Sequence, residues 1–238
     1  MIKVIGFDLD DTLWAVRPII LRAENILDLW LKENAPPLQY DAVAMRSLRG
    51  RVLKQTPELV NQITELRRRI IHEAMLLSDI GAPEAKRLSD AAVEIFLAAR
   101  NEVNFFDGAL DAISQLANSY VLGALTNGNA DISRLGLTPY FSFSFSAEQV
   151  GAPKPAPNLF SHALAHTNTE PHEMIYIGDD PVLDIDTAKN FGMHTIWINS
   201  KAVKSKGDTA PDVIVSSVKE LPQAVSHIAS QHARQDNL

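Results

Sequence analysis

The stretch that decides the fold is residues 7–14, FDLDDTLW, which follows directly on the apolar run Val4-Ile5-Gly6. A short apolar run ending in acids reads as a buried parallel strand whose polar end lies at the edge of a sheet. Open parallel sheets bind ligands beyond the carboxyl ends of their strands. A first strand over residues 2–8 therefore carries Asp8 and Asp10 to the place where chemistry sits. Two carboxylates about 4 Å apart repel by roughly 4 kcal/mol at an effective dielectric of about 20, so a cation or a proton must offset them. Taken alone, Asp-x-Asp is more often an exposed acidic turn. The rest of the chain shifts that balance.

The 238 residues suit one core with a sizeable insertion. Apolar and charged fractions are those of a soluble globular protein. A net charge of −7 argues against a general nucleic-acid or anionic-membrane binder, which would carry a basic surplus. Without cysteine there is no disulfide, thiolate nucleophile or thiolate metal site. Acids interrupt the N-terminal apolar run too early for a signal peptide. No run reaches the ~18 apolar residues of a membrane span, so a cytoplasmic protein is expected.

Residues 17–103 read as four helices and no strand. The first, 17–34, has Ile19, Ala23, Ile26, Leu27, Trp30 and Leu31 at helical spacing. Pro36-Pro37 stops it, and a second helix is expected over about 41–54. A third starts at Thr56-Pro57, cap and first-turn proline, and runs to about 78; a fourth spans about 83–101. Strands and helices then alternate: helix 108–117, strand 120–125, strand 141–146 with its Phe/Ser alternation, a helix within 155–165, strand 174–177, helix 183–191 stopped by Gly192, strands 194–198 and 213–215, and a helix from about 218. The polar tail QHARQDNL is expected to fray. The fold class is α/β: a doubly wound, mostly parallel sheet from residues 1–16 and 104–238, with an inserted four-helix domain over 17–103.

Three of those strands end in polar clusters: Asp8-x-Asp10-x-Thr12, Thr126-Asn127-Gly128, and Gly178-Asp179-Asp180 with Asp184 beyond. Between the second and third lies Gly151-Ala152-Pro153-Lys154-Pro155, a lysine held among prolines. Each has a plainer reading by itself. Thr-Asn-Gly is a turn, a lone lysine is solvated, and Gly-Asp-Asp before a helix is an N-cap. In this order, at successive strand ends, the four fragments resemble the four motifs of the haloacid dehalogenase superfamily in its phosphatase form. The helical insertion after the first resembles that superfamily's C1 cap, and the likeness runs over nearly the whole chain.

The resemblance implies roles. Asp8 would be the nucleophile that becomes an aspartyl phosphate, and Asp10 the general acid and then base. Lys154 would neutralise charge on the nucleophile and phosphoryl group, with Thr126 and Asn127 contacting the phosphate. A Mg2+ cofactor is implied, held by Asp8, Asp179 and the backbone carbonyl of Asp10. Asp184 would be a water-mediated or outer ligand. Asp180 would contact a metal water, cap the following helix or orient Lys154. The superfamily's dehalogenases use no metal and typically lack an acid at the position of Asp10, so the acids here favour phosphoester hydrolysis. The phosphonatase branch needs a cap lysine, and Lys32, Lys54 and Lys86 lie in no such motif.

A cap that closes would choose the substrate. Basic residues cluster there: Arg17 and Arg22; Arg46, Arg49, Arg51 and Lys54; Arg67, Arg68 and Arg69. Most such residues are solvated helix faces; helical phase favours Arg22 and Arg69 as contacts. The wording around residues 10–22, 126–130 and 69–76 further resembles bacterial phosphatases that act on 5-amino-6-(5-phosphoribitylamino)uracil and also hydrolyse flavin mononucleotide. On that likeness Trp14 and Trp30 are candidates to stack on a flavin-like ring, against their commoner role as core. The expected partner is a small phosphorylated metabolite, not nucleic acid or membrane, with monomer and dimer equally open. The rivals are a broad sugar-phosphate or nucleotide phosphatase and a non-catalytic regulator; intact motifs disfavour the latter.

Overall fold

The computed structural model describes residues 1–38 and 42–235, with the side chains of 42 and 233–235 excepted. It forms two compact units, Met1–Ala15 with Asn104–Leu238, and Val16–Val103.

The Val16–Val103 unit holds α1 (Val16–Asn34), α2 (Ala42–Gln55), α3 (Ile63–Leu77) and α4 (Ala82–Arg100). The apolar stripe of α1 (Ala23, Leu27, Leu31) packs with Ile71 and Met75 of α3 and Leu88, Ala92 and Phe96 of α4. α2 closes on α3 through Leu48, Val52, Leu66 and Ile70. The single helix expected from Thr56 to Ser78 is broken at Gln62 (φ −112°, ψ 72°). A 3-10 turn at Pro57–Asn61 precedes the break and seats Leu59 in the α2–α3 seam, and Thr56 makes no side-chain cap. Asp41, the expected start of the second helix, lies outside the described residues.

The other unit is built from β1 (Val4–Phe7), α5 (Ala109–Ala117), β2 (Val121–Thr126), β3 (Phe141–Ser146), α6 (Ala147–Val150), α7 (Asn158–Thr167), β4 (Met174–Gly178), α8 (Thr187–Asn190), β5 (His194–Ile198), β6 (Val213–Val215) and α9 (Leu221–Gln235). The strands form one parallel sheet in the order β3-β2-β1-β4-β5-β6. β1 is buried throughout, as a central parallel strand with both faces covered must be. The chain builds outward from β1 to β3 on one side and from β4 to β6 on the other, so the sheet's switch point lies at β1. β3 lies at an edge, and its first half alternates as read: Phe141 and Phe143 are buried while Ser142 is exposed. Among the described residues no helix is long and apolar enough to cross a membrane.

One expectation fails here. The helix read over 183–191 begins instead as a wide π-type turn, Pro181–Asp186, and only then narrows into α8. The carbonyl of Asp180 accepts from the amides of both Asp184 (3.0 Å) and Ile185 (3.3 Å), which enlarges the first turn. Within the tail expected to fray, α9 continues through residues 231–235. His232 is buried there, with its ring 5.6 Å from that of His172 and 5.3 Å from that of His194. Residues 236–238 lie outside the described chain. The short α6 was not foreseen; Ser146 and Gln149 form its reciprocal capping box.

Gly6 faces Tyr176 across the β1–β4 register, and a Cβ at Gly6 would lie 2.9 Å from the Tyr176 ring and 2.4 Å from Met174 Cε. Gly6→Ala is expected to cost about 1–3 kcal/mol by overpacking, read as a lower urea midpoint. An unchanged midpoint would mean that the neighbouring side chains have room to shift.

Candidate active site

Asp8 is the first residue past β1, and its amide donates to Ile177 O at 2.9 Å, extending the β1–β4 ladder by one bond. The chain then doubles back. Leu13 N donates to Leu9 O (2.9 Å) and Asp11 N to Trp14 O (2.8 Å), with Asp11 in the left-handed region at φ 59°. This tight loop turns the buried Thr12 hydroxyl toward Asp8 Oδ2 and Asp179 Oδ1, each at 3.3 Å. It also lets the Trp14 indole donate to Asp10 Oδ1 at 2.9 Å. Trp14 is fully buried, edge-on to Phe105 with ring centroids 5.5 Å apart, so it is core and not a stacking surface. Asp10 itself is partly exposed.

Lys154 is buried, and its ammonium, with three N–H donors, lies within hydrogen-bond distance of four oxygens: Asp8 Oδ1 (2.7 Å), Asp184 Oδ1 (2.7 Å), the Tyr176 hydroxyl (2.8 Å) and Leu125 O (3.1 Å), the last also accepting from the Tyr176 hydroxyl at 3.0 Å. The loop that carries it is fixed by Asn127. That side chain accepts from Lys154 N (2.7 Å) and donates to Lys154 O (3.1 Å), as a β-ladder neighbour would. Thr126 Oγ1 accepts from Gly128 N at 2.9 Å, closing the turn after β2. The π-type turn brings Asp184 back under β4, where its Oδ2 accepts from Asp180 N at 3.0 Å. Only glycine at 178 permits this, since a Cβ there would lie 2.3 Å from Asp184 Oδ2. Asp180 Oδ1 accepts from the amides of Val182 (2.8 Å) and Leu183 (2.9 Å), so of its three possible roles the capping one is present.

Asp8, Asp179 and Asp184 bring ligating oxygens within 4.8 Å of one another. Were Asp8, Asp179 and Asp184 all ionised, the single Lys154 ammonium would leave two negative charges unmatched. Burial, only partly offset by Lys154 and reinforced by Asp184, pushes the Asp8 carboxyl up to about 8. Burial and the neighbouring Asp184 and Asp11 push Asp179 to about 7. The lysine is held well above its ordinary value by Asp184 and Asp8 despite its burial, so it stays an ammonium. An all-oxygen donor set with surplus negative charge is what a hard divalent cation requires. The Asp10 carboxylate is not part of this cluster among the described residues.

The chain belongs to the haloacid dehalogenase-like hydrolase family. The model of that family matches residues 2–192. The chain is 34% identical over 198 residues to the 5-amino-6-(5-phospho-D-ribitylamino)uracil phosphatase YigB of Escherichia coli, with 83% of each chain covered. It is 29% identical to a glyceraldehyde 3-phosphate phosphatase of Methanopyrus kandleri, over 96% of this chain and 99% of that one. A crystal structure described as a 2-haloacid dehalogenase from Pseudomonas syringae superposes with a TM-score of 0.92 at 37% identity, covering 95% of this chain and 99% of that one.

In this family member the structure gathers Asp8, Asp179, Asp184 and Lys154, with Asn127 clamping the lysine loop. The two arginines singled out by helical phase have partners within the helical unit. Arg22 donates to Ala99 O (2.9 Å) and to Glu102 O beyond the end of α4, and Arg69 pairs with Glu73 (2.9 Å). Trp30 is half-buried against the helical core. Three contributors were not foreseen: the Tyr176 hydroxyl, the Thr12 hydroxyl as a bridge, and Trp197, whose indole donates to Asp179 O at 2.8 Å. A tyrosine inside the apolar strand MIYIG was the available signal, because a buried phenol needs a partner.

The protonation pattern gives a stability test. With a chelator present, Asp8 and Asp179 hold protons up to about 8 and about 7 in the folded protein but ionise near 3.8 when unfolded. The folded state then binds more protons between those values, so stability falls as pH rises from about 4 to about 8, by at most about 1.4 kcal/mol per pH unit for each proton. The Lys154 ammonium contributes no slope in this window, since its raised pKa lies above it. Urea unfolding at pH 5, 6, 7 and 8 should show the decline in wild type and a shallower one in Asp179→Asn; equal slopes would contradict the assignment.

Proposed function

We propose that this chain is a Mg2+-dependent phosphomonoesterase that works through an aspartyl phosphate on Asp8. The carrying observation is the buried Lys154 held between Asp8 and Asp184, with Asp179 beside them, at the carboxyl ends of β1, β2 and β4. Asp8 attacks phosphorus, the ester P–O bond breaks, and Asp10 gives its proton to the departing oxygen. Asp10, now a carboxylate, takes a proton from water as that water attacks phosphorus. The Asp8–phosphorus bond breaks, inorganic phosphate leaves, and both acids are restored. The Trp14 indole fixes one oxygen of Asp10, and the residue's partial exposure lets it meet a leaving group.

Lys154 offsets the charge of Asp8 and of the phosphoryl oxygens. Thr126 supplies a hydroxyl to the phosphate. Asn127 contributes its backbone amide, since its side chain is occupied by Lys154. Asp8, Asp179 and the Asp10 carbonyl hold Mg2+, which supplies charge neutralisation at the phosphate; Asp184 stays with Lys154, and Asp180 serves the turn. The helical unit acts as a C1 cap over residues 17–103, with Arg22 and Arg69 as its candidate specificity residues.

For substrate, the reading favoured is 5-amino-6-(5-phosphoribitylamino)uracil, with flavin mononucleotide as a second, in riboflavin metabolism. It is supported by the identity to YigB. The Methanopyrus relative supports the alternative of a broader sugar-phosphate phosphatase. The name of the Pseudomonas structure raises dehalogenation, which the acid at position 10 and the acidic cluster oppose.

Phosphate release across those two compounds, small sugar phosphates and a nitrophenyl ester, with halide release from a 2-haloacid, separates these readings. Preference by kcat/KM for the flavin-pathway compounds supports the first; a flat profile demotes it, and halide release overturns the phosphatase reading. Asp8→Asn should abolish turnover with the fold intact by circular dichroism. Asp10→Asn should lose about 10²–10⁴ in kcat while Mg2+ still raises its Tm. Chelation should stop wild-type turnover and Mg2+ restore it.

A further inference from the structure

The helical unit contains a cavity of about 680 Å³ between α1, α2 and α3. That lies within the range of sites for small organic ligands, which are mostly apolar with a few placed polar groups. Its lining follows that pattern: Met45, Ile63, Ile70 and Ile71 provide an apolar wall, and Arg46 and Arg49 provide the charge. These two arginines are three residues apart on α2, so their guanidinium groups rise from adjacent positions on one face.

Their state differs from that of the other arginines nearby. Arg51 and Arg69 share Glu73 (3.9 and 2.9 Å), Arg68 holds Asp90 (3.1 Å), and Arg67 holds Glu24 (2.8 Å) while lying 3.6 Å over the Phe96 ring. The acids that line the cavity are thereby neutralised, Glu24 by Arg67 and Asp28 by Lys32 at 2.6 Å. Arg46 and Arg49 are exposed, and among the described residues neither has an ion pair or hydrogen bond. The cavity thus presents two uncommitted guanidinium groups above an apolar wall in a chain whose net charge is −7.

We propose that the helical unit carries its own binding site for a small organic oxyanion with an apolar, ring-sized body. The carboxylate, sulfonate or phosphate head pairs with Arg46 and Arg49, and the body lies against Ile63, Ile70 and Met45. Guanidinium groups match oxyanions through paired N–H donors, and the apolar wall adds affinity for the body. The site uses neither Asp8 nor Lys154, so it stands or falls separately from the phosphatase reading.

The test titrates the full chain with 1-anilinonaphthalene-8-sulfonate, a non-hydrolysable aromatic sulfonate, by fluorescence at low and raised salt. The wild type is expected to show saturable binding that weakens with salt. Arg46→Ala/Arg49→Ala should raise Kd at least about tenfold, the loss of charge-assisted hydrogen bonds. Ile63→Ser, at a partly exposed wall position, should raise it several-fold with the fold unchanged. Lys201→Ala/Lys204→Ala removes the same charge from an exposed loop of the other unit and should leave Kd unchanged. Equal binding by wild type and the arginine variant, equal loss in the lysine control, or no saturable binding overturns the proposal.

Discussion

The buried ammonium of Lys154 is the interaction on which the site depends. A lone charge in that position would be very costly, and it is tolerable only because four oxygens surround it. Those oxygens come from the end of β1, the end of β2, the middle of β4 and the turn after β4. The lysine therefore specifies how three central strands and one irregular turn end relative to one another. Several otherwise odd features follow. Gly6 makes room for the Tyr176 ring, Gly178 makes room for the Asp184 carboxylate, and the Asn127 amide holds the backbone of Lys154 itself. The widened turn at Pro181–Asp186 folds Asp184 back toward the amide of Asp180 and the lysine, a placement consistent with the common occurrence of such turns at functional sites.

The same cluster is deliberately unbalanced. One ammonium cannot balance Asp8, Asp179 and Asp184 together, and burial makes the excess so costly that Asp8 and Asp179 hold protons up to about 8 and about 7. Carboxyls that outnumber their single ammonium and titrate far from their ordinary range are common at functional sites, and under the proposed function a divalent cation at the acids and an oxyanion at the lysine would complete the balance. The surrounding hydrogen bonds serve orientation. Thr12 bridges Asp8 and Asp179, and Trp14 and Trp197 fix Asp10 and the Asp179 backbone from within the core. Buried aromatic rings that supply single N–H donors add rigidity without adding charge.

The helical unit follows a different logic. Its core is a helix-period stripe closed by small residues and one phenylalanine, and most of its arginines are held in surface ion pairs worth little to stability. Arg22 instead satisfies carbonyls at and beyond the last turn of α4, where helix ends leave them unpaired. Position on a helical wheel therefore did not reveal that Arg22 serves a helix end.

The sequence by itself determined the class of the fold and most of the polar strand ends. Burial of both faces of a central parallel strand forces an unbroken apolar run, and the polar residues that end such a run stand out at Asp8, Thr126 and Asp179. It also marked α1 as a helix with one buried face, because its apolar residues recur with a 3.6-residue period. Only the tertiary structure decided which of those polar groups meet. Tyr176 reads as strand core until its hydroxyl is seen on Lys154; nothing in the sequence shows that the Asn127 side chain clamps the Lys154 backbone; and Asp184, read as an outer metal ligand, is brought onto Lys154 itself by the widened turn. The break at Gln62 was likewise invisible, since no glycine or proline marks it in the sequence. The physical reason is common to all of these: periodicity reports which face of an element is buried, whereas the partner of a buried polar group is set by contacts between residues far apart in the chain.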